Sequence, residues 1–286
     1  MILEELFTTM AEFRSYAPYL ESNVDFKHLN SSAGSARKQI CIVLTKEVYT
    51  DILSQTDHDD CKNELRKAMA NLTLAKQMVF DVISQRKNEI DIYKHEQESM
   101  RRAYTDNYFN AMDSVIQLLE DDDGISEHWK ATKRHALIDK LKLKTASDFD
   151  AAYPIDMSYL FFFRTVPLQM EALDEYVGGY YDRASGKDEV LRMLDRALAK
   201  ITVSIALRRF DIIEFPPTIR SLFDDSKASR SGRDEQNRML EMAASLYEEA
   251  KALLSDIDLL LSEEGEEQIV TETSFNRPDD KIYLMA

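Results

Sequence analysis

Apolar residues recur every three or four positions over most of this chain, the spacing that gathers them on one face of an α-helix. In residues 63–83, NELRKAMANLTLAKQMVFDVI, Leu65, Met69, Leu72, Val79 and Ile83 share such a face, with charges and amides opposite. The pattern is written a second time 129 positions later, where Leu194, Leu198, Ile201, Thr202 and Ile212 stand for Leu65, Met69, Leu72, Thr73 and Ile83. Ala68/Ala197 and Ala70/Ala199 are identical pairs, whereas Lys76 faces Ile205 and Val79 faces Arg208. A second echo, shifted by 139, relates Glu96, Gln97, Met100, Tyr108 and Ala111 to Glu235, Gln236, Met239, Tyr247 and Ala250. The pattern predicts two related long-helix pairs, with roughly ten extra residues between the helices of the second.

Around these pairs the expected elements are mostly short. An amphipathic piece over 3–16 ends at Pro18, and a polar loop over 30–35 precedes a helix over 36–53, capped by Ser35. Ile40, Val43, Leu44, Val48 and Ile52 form its apolar side. Asp59 or Asp60 is placed to cap the first long helix. Residues 82–93 permit either a hairpin or more helix, and 96–119 read as the next helix, stopped by the acidic run ending at Gly124. In the second half, alternation over 136–145 predicts an edge strand, and Ser147 is expected to cap a short helix over 148–153. A helix over 157–177 contains Pro167, so a kink or break near Val166 is expected, with Gly178 and Gly179 ending it. Helices over 188–213 and from Ser231 or Asp234 to about Leu261 follow. The fold class is mainly α: two helical bundles related by internal duplication, minor β hairpin or strand segments, and an extended C-terminal tail. The divisions are an N-terminal arm (1–34), a first repeat (35–125), a second repeat (126–262) and the tail (263–286).

Composition agrees with helices, since 286 residues carry only seven Gly and six Pro. The formal charge of −16 argues against gripping nucleic acid or anionic membranes. Cys41 and Cys61, without a CxxC, fit a reducing compartment. The start, Met-Ile-Leu-Glu-Glu, lacks the basic region of a signal peptide, and the apolar run 159–163 is too short to span a bilayer. The expectation is a cytosolic-type protein.

Catalytic signatures fail on inspection. HExxH is absent, and no Glu precedes a histidine by three positions, as paired ExxH sites of di-iron bundles need. The acidic loop at Asp121–Asp123 lacks the end ligands of an EF-hand, having Leu119 and Lys130 there. Gly186-Lys187 lacks both the leading glycine and the following hydroxyl of a phosphate loop. In Asp57-His58-Asp59-Asp60-Cys61 consecutive side chains diverge, which suits a turn and cap better than a metal. His128, Trp129 and His135 read as an anchor where the chain crosses between halves. No catalytic, cofactor or metal residues are expected, and the chain is read as non-enzymatic.

One stretch carries a resemblance. Trp129, Leu137-Ile138, Ala146-Ser147-Asp148-Phe149-Asp150, Tyr153, Ile155, Ser158, Phe162 and Pro167 resemble an uncharacterised family of structural proteins of Bacteroidetes tailed phages and prophages, crAss-like phages included. Its members look like head–tail connector (adaptor) proteins, and the likeness spans roughly 35–262. It departs at 82–93, which lacks the glycine where family members often turn. The resemblance implies a non-enzymatic subunit of a dodecameric neck ring that binds the portal and further neck or tail proteins. Located in the virion and made in the host cytoplasm, such a ring lets DNA pass without specific binding. Two kinds of surface are then expected. Tyr159, Phe161, Phe162, Phe163, Ile269, Val270, Phe275, Ile282, Tyr283 and Leu284 would form protein contacts. Asp121, Asp122, Asp123, Glu263, Glu264, Glu266 and Glu267 would face the DNA path and repel phosphate. A host-cell helical scaffold or regulatory protein with no virion role stays open as the other reading, as does an enzyme whose site is assembled from distant residues.

Overall fold

The computed structural model describes residues 1–17, 24–56, 59–87, 94–121, 128–223 and 232–263. These are mainly α-helical, and no strand occurs among them. The first half holds α1 (Met10–Tyr16), α2 (Phe26–Leu44), α3 (Lys46–Leu53), α4 (Asp60–Lys87) and α5 (Lys94–Asp121). The second holds α6 (His135–Ile138), α7 (Ala146–Ala152), α8 (Tyr159–Ala172), α9 (Gly178–Arg183), α10 (Asp188–Arg209), α11 (Pro217–Ser221) and α12 (Gly232–Glu263). The longest helices pair within each half, α4 with α5 and α10 with α12.

The halves share one order of parts. A helix (α2, α8) lies on a long hairpin (α4–α5, α10–α12), and a short helix (α3, α9) sits between them in sequence. The echo in the sequence is matched by packing, because Leu65, Ala68, Met69 and Ala70 are fully buried, and so are Leu194, Ala197, Leu198 and Ala199. Each half has its own apolar cluster. Leu3, Leu6, Phe7 and Phe13 are buried in the first, so residues 1–17 are part of that core and not a loose arm.

Four local expectations are corrected. The loop expected over 30–35 is helical, because Asp25 caps α2 by accepting from the His28 amide at 3.0 Å. The small residues there serve close packing: a β-carbon on Gly34 would lie 3.4 Å from Ile2, and the Ser32 hydroxyl donates to Gln77 at 2.7 Å. The division at 34/35 therefore falls inside α2, and the real break comes at Thr45, whose φ of 72° ends α2 and whose hydroxyl caps α3. The strand expected over 136–145 is instead a helical turn followed by loop. Its alternation is real but serves another end, as Leu141 and Leu143 enter the second core while Lys142 and Lys144 stay outside. Nothing pairs with it as a strand among the described residues. Third, α7 is capped by Thr145 and not Ser147, in a reciprocal box with Asp148. Finally, Gly178 and Gly179 do not end their helix. Residues 173–177 form a π turn, and Gly178 permits it, since a β-carbon there would lie 2.7 Å from the Leu173 carbonyl oxygen.

Other expectations match. Asp59 accepts from the Lys62 amide at 2.8 Å at the start of α4. The helix continues to Lys87, the second of the two conformations left open for that stretch, while 88–93 lie outside the described residues. Pro167 sits inside α8.

Two positions beyond Pro167, Gln169 is fully buried, and neither amide atom of its side chain has a hydrogen-bond partner. Burying an unpaired amide costs about 1–3 kcal/mol. Gln169→Met should therefore raise unfolding stability by about 1–3 kcal/mol in urea titration, with the helical circular dichroism unchanged.

Candidate functional site

The side chains that converge most closely lie where the two halves meet, and α8 is the element they converge on. It packs against α5 of the first half and α10 of the second. Leu160 and Phe163 belong to the first core, whereas Phe161 and Phe162 between them belong to the second. Helical geometry produces this split, since residues three apart share a face and their neighbours point elsewhere. The run 159–163 is thus an internal wedge. Phe161, Phe162 and Phe163 are all buried within the chain, which removes them as a surface for other subunits; Tyr159 is partly buried and packs against both cores.

A carboxylate from α5 holds the start of this helix. Ser158 caps α8, accepting from the Phe161 amide at 3.2 Å, and its hydroxyl donates to Asp113 at 2.7 Å. The Leu160 amide donates to the same Asp113 oxygen at 2.9 Å. A carboxylate at a helix N-terminus satisfies orphan amides and complements the helix dipole. Burial pushes the Asp113 pKa above its ordinary value, against the lowering effect of the Leu160, Ser158 and Tyr159 donors.

Trp129 closes the joint from the other side. It is fully buried, stacks on Phe163 at 4.3 Å between ring centres, and donates its indole N–H to Glu120 at 2.7 Å. His135 approaches the same carboxylate at 3.3 Å and meets the Trp129 ring edge-on at 6.0 Å. Burial raises the Glu120 pKa, but the His135 and Trp129 contacts outweigh it and hold it below the usual range. Arg134 lies 5.3 Å over the Phe163 ring. His128 does not join this group; it meets Asp51 at 2.7 Å, tying the crossing to α3. Farther along, Arg164 pairs with Glu214 at 2.6 Å and Arg220 with Asp106, the latter joining α11 to α5.

The distinctive acids after Ser147 do similar work. Asp148 completes the cap of α7, and Asp150 accepts from the Ile155 and Met157 amides at 2.8 and 3.0 Å. Asp150 thereby secures a turn in which Asp156 and Met157 both have positive φ, 55° and 53°. Asp156 in turn accepts from the Thr218 amide at 2.7 Å and from its hydroxyl.

No protein-family model, curated protein or solved structure matches this chain.

What remains is the chemistry the described residues allow. A cleft of about 960 Å³ lies among α1, the start of α4 and the end of α5. Glu12, Asp60, Glu64 and Asp121 face Arg66 and Lys67 across it. The bases are engaged: Arg66 donates to the Leu6 carbonyl at 2.9 Å, and Lys67 pairs with Glu64 at 2.5 Å. No cluster of three metal-ligating side chains occurs among the described residues. Nor is any described helix long and apolar enough to cross a membrane.

Of the acids expected along a DNA path, Asp121 is exposed at the end of α5 on this cleft, and Glu263 is the last residue of α12. Asp122, Asp123, Glu264, Glu266 and Glu267 lie outside the described residues, as do Ile269, Val270, Phe275, Ile282, Tyr283 and Leu284. The sequence reading missed Asp113, whose one signal is an acid bordering the apolar face of α5, beside Met112.

The joint makes a prediction with a sign. Asn at position 113 keeps the acceptor oxygen, whereas Ala leaves the Ser158 and Leu160 donors unsatisfied, at about 2–3 kcal/mol. Because the folded-state pKa of Asp113 is raised, wild type is favoured most below 3.8 and loses stability as pH rises through the folded value. Asp113→Asn has no such loss. Unfolding followed by emission of Trp129 should show wild type falling relative to Asp113→Asn as pH goes from about 3 to 7.

Proposed function

We propose that this chain is a structural subunit of a tailed-phage neck, a head–tail connector that binds copies of itself and the portal and continues the channel by which DNA leaves the capsid. The observation that carries this reading is the coincidence of two things in residues 129–167. The stretch resembles the connector family most distinctively, and its side chains are used as joinery. Trp129 and Phe163 fill the seam, while Asp148, Asp150 and Ser158 cap helices or secure turns. Side chains spent on joining helices suit a part that transmits force and position. A seam closed by aromatic packing and partly buried capping bonds also leaves less room for relative motion than a small polar interdomain contact.

Charge supports the same reading. A wall around moving DNA must not hold it, and a chain at −16 with Asp121 exposed at a helix end repels phosphate. The protein would reside in the virion after synthesis in the host cytoplasm, without cofactor, as an adaptor beneath the portal.

The test is assembly. Purified chain mixed with the portal protein of the same phage genome should form a coaxial ring visible by negative-stain electron microscopy; absence of any complex at micromolar concentrations of both overturns the connector reading.

Charge reversal tests the channel wall separately. Replacing Asp121, Asp122 and Asp123 with Lys should make the protein retard double-stranded DNA in gels at low salt, an effect lost by about 0.2 M salt. Unchanged mobility would reduce the acids to a solubility feature.

A further inference from the structure

The first hairpin ends in an arm that no other described element covers in the way the second hairpin is covered. On α4, every residue from Arg66 to Ala75 except Lys67 is buried, but Val79 and Phe80 are 48% and 51% exposed. On α5, residues 99–103 are all exposed, and Met100 is 43% exposed. Asn107 of α5 donates to Asn71 of α4 at 3.2 Å, and counting back from that pair along the antiparallel helices puts Val79 level with Ser99, with Phe80 and Met100 within one turn. Val79, Phe80 and Met100 are therefore at the same height on the arm.

The second hairpin treats the matching place differently. Arg208 and Arg209 stand for Val79 and Phe80, and Met239, standing for Met100, is buried, although its neighbour Leu240 stays 47% exposed. The extra residues of that half include Phe215 and Ile219, which pack into its core. The first half has no such insertion, and Val79, Phe80 and Met100 stay exposed.

Charge selects what could cover it. Lys76, Arg101 and Arg102 flank the apolar trio against one adjoining acid, Asp81, and residues 76–103 as a whole carry six Lys and Arg against five Asp and Glu, a net +1. The rest of the chain is then −16 − 1 = −17. On α12, Leu259 and Leu260 are 61% and 39% exposed, and exposed Asp256 lies one turn before them. Apolar surface with basic flanks on one element is thus matched by apolar surface with an acidic flank on another.

We propose that Val79, Phe80 and Met100 of one subunit dock on Leu259 and Leu260 of a second copy of this chain, with Arg101 and Arg102 facing Asp256. This rests on the self-assembling connector reading and names the contact that links one copy to the next. The surfaces differ, so the contact is heterologous: repeated, it closes a ring or extends a filament. Its apolar centre supplies most of the affinity, while the charges set partner choice and salt dependence.

Sedimentation velocity of the full chain tests it. Wild type should associate with rising concentration, and less so as salt rises from about 0.05 to 0.5 M. Phe80→Glu should weaken association by about tenfold or more, with unchanged circular dichroism. Arg101→Glu with Arg102→Glu should also weaken it, and adding Asp256→Arg should restore it. The contact is overturned by a wild type that stays monomeric to about 100 µM, by Phe80→Glu associating as wild type does, or by failure of Asp256→Arg to restore. Binding to anionic phosphatidylglycerol vesicles without self-association also overturns it and assigns the arm to a membrane surface. If Phe80→Glu still completes rings on the portal, the contact fails while the connector reading stands.

Discussion

Everything in the described body depends on how α8 is held. Four consecutive residues, Leu160 to Phe163, divide between two cores, so the helix must keep one rotation and one height for both cores to close. Asp113 sets the height by binding the first turn, and Trp129 stacked on Phe163 sets the rotation. Either alone would leave freedom: a capped helix can still roll, and a packed ring can still slide. Truncating a buried aromatic here opens one core directly and frees the helix on which the other core closes, at the roughly 3–5 kcal/mol usual for such changes. The joint thereby makes one mechanical unit of two clusters that would otherwise meet as separate bundles.

The long helices were legible in the sequence because burial there follows helical period and little else. The echo of Leu65 through Ala70 in Leu194 through Ala199 was visible for that reason, and packing confirms those positions as core. Less legible were places where a residue's role is set by a neighbour far along the chain. Residues 30–35 read as loop because Asn, Ser and Gly are disfavoured in helices; the packing of Gly34 on Ile2 and of Ser32 on Gln77 overrides it. Leu141 and Leu143 alternate with lysines as a strand would, yet a loop pressed against a core gives the same alternation without a partner strand. Gly178 read as a stop because glycine usually follows a helix, whereas here it admits a π turn and the chain continues helical.

The candidate site was half legible. Trp129 stood out as an anchor because it is unique and flanked by histidines, and it is fully buried at the seam. Its partners Glu120 and Phe163 lie too far along the chain to be named from spacing. Phe161 to Phe163 were read as contacts between subunits, since composition cannot distinguish an apolar wedge inside a chain from one between chains. Asp113 was invisible for a related reason: a single acid beside an apolar helix face looks like a boundary residue until the free amides of α8 are brought to it.

The two hairpins also differ in what they offer beyond themselves. On α5, Met112, Ile116 and Leu119 are buried apolar residues near the end that meets the second half. The corresponding α12 positions are Lys251 and Ser255, both exposed, and Asp258, which accepts from Tyr180 at 2.9 Å and Arg183 at 2.9 Å. Likewise, Leu160 and Phe163 on α8 correspond to Ser31 and Gly34 on α2. The seam between the halves is therefore not repeated at either end, as expected where a stack of repeats is closed by polar outer faces. Among the described residues, those positions of α2 and α12 do not repeat the apolar side chains that the seam uses. Apolar side chains that stay exposed lie elsewhere, Val79, Phe80 and Met100 on the α4–α5 arm and Leu259 and Leu260 at the end of α12, with Leu259 one turn beyond Ser255. What the fold leaves uncovered is therefore a few side chains at helix ends and not a second copy of the seam.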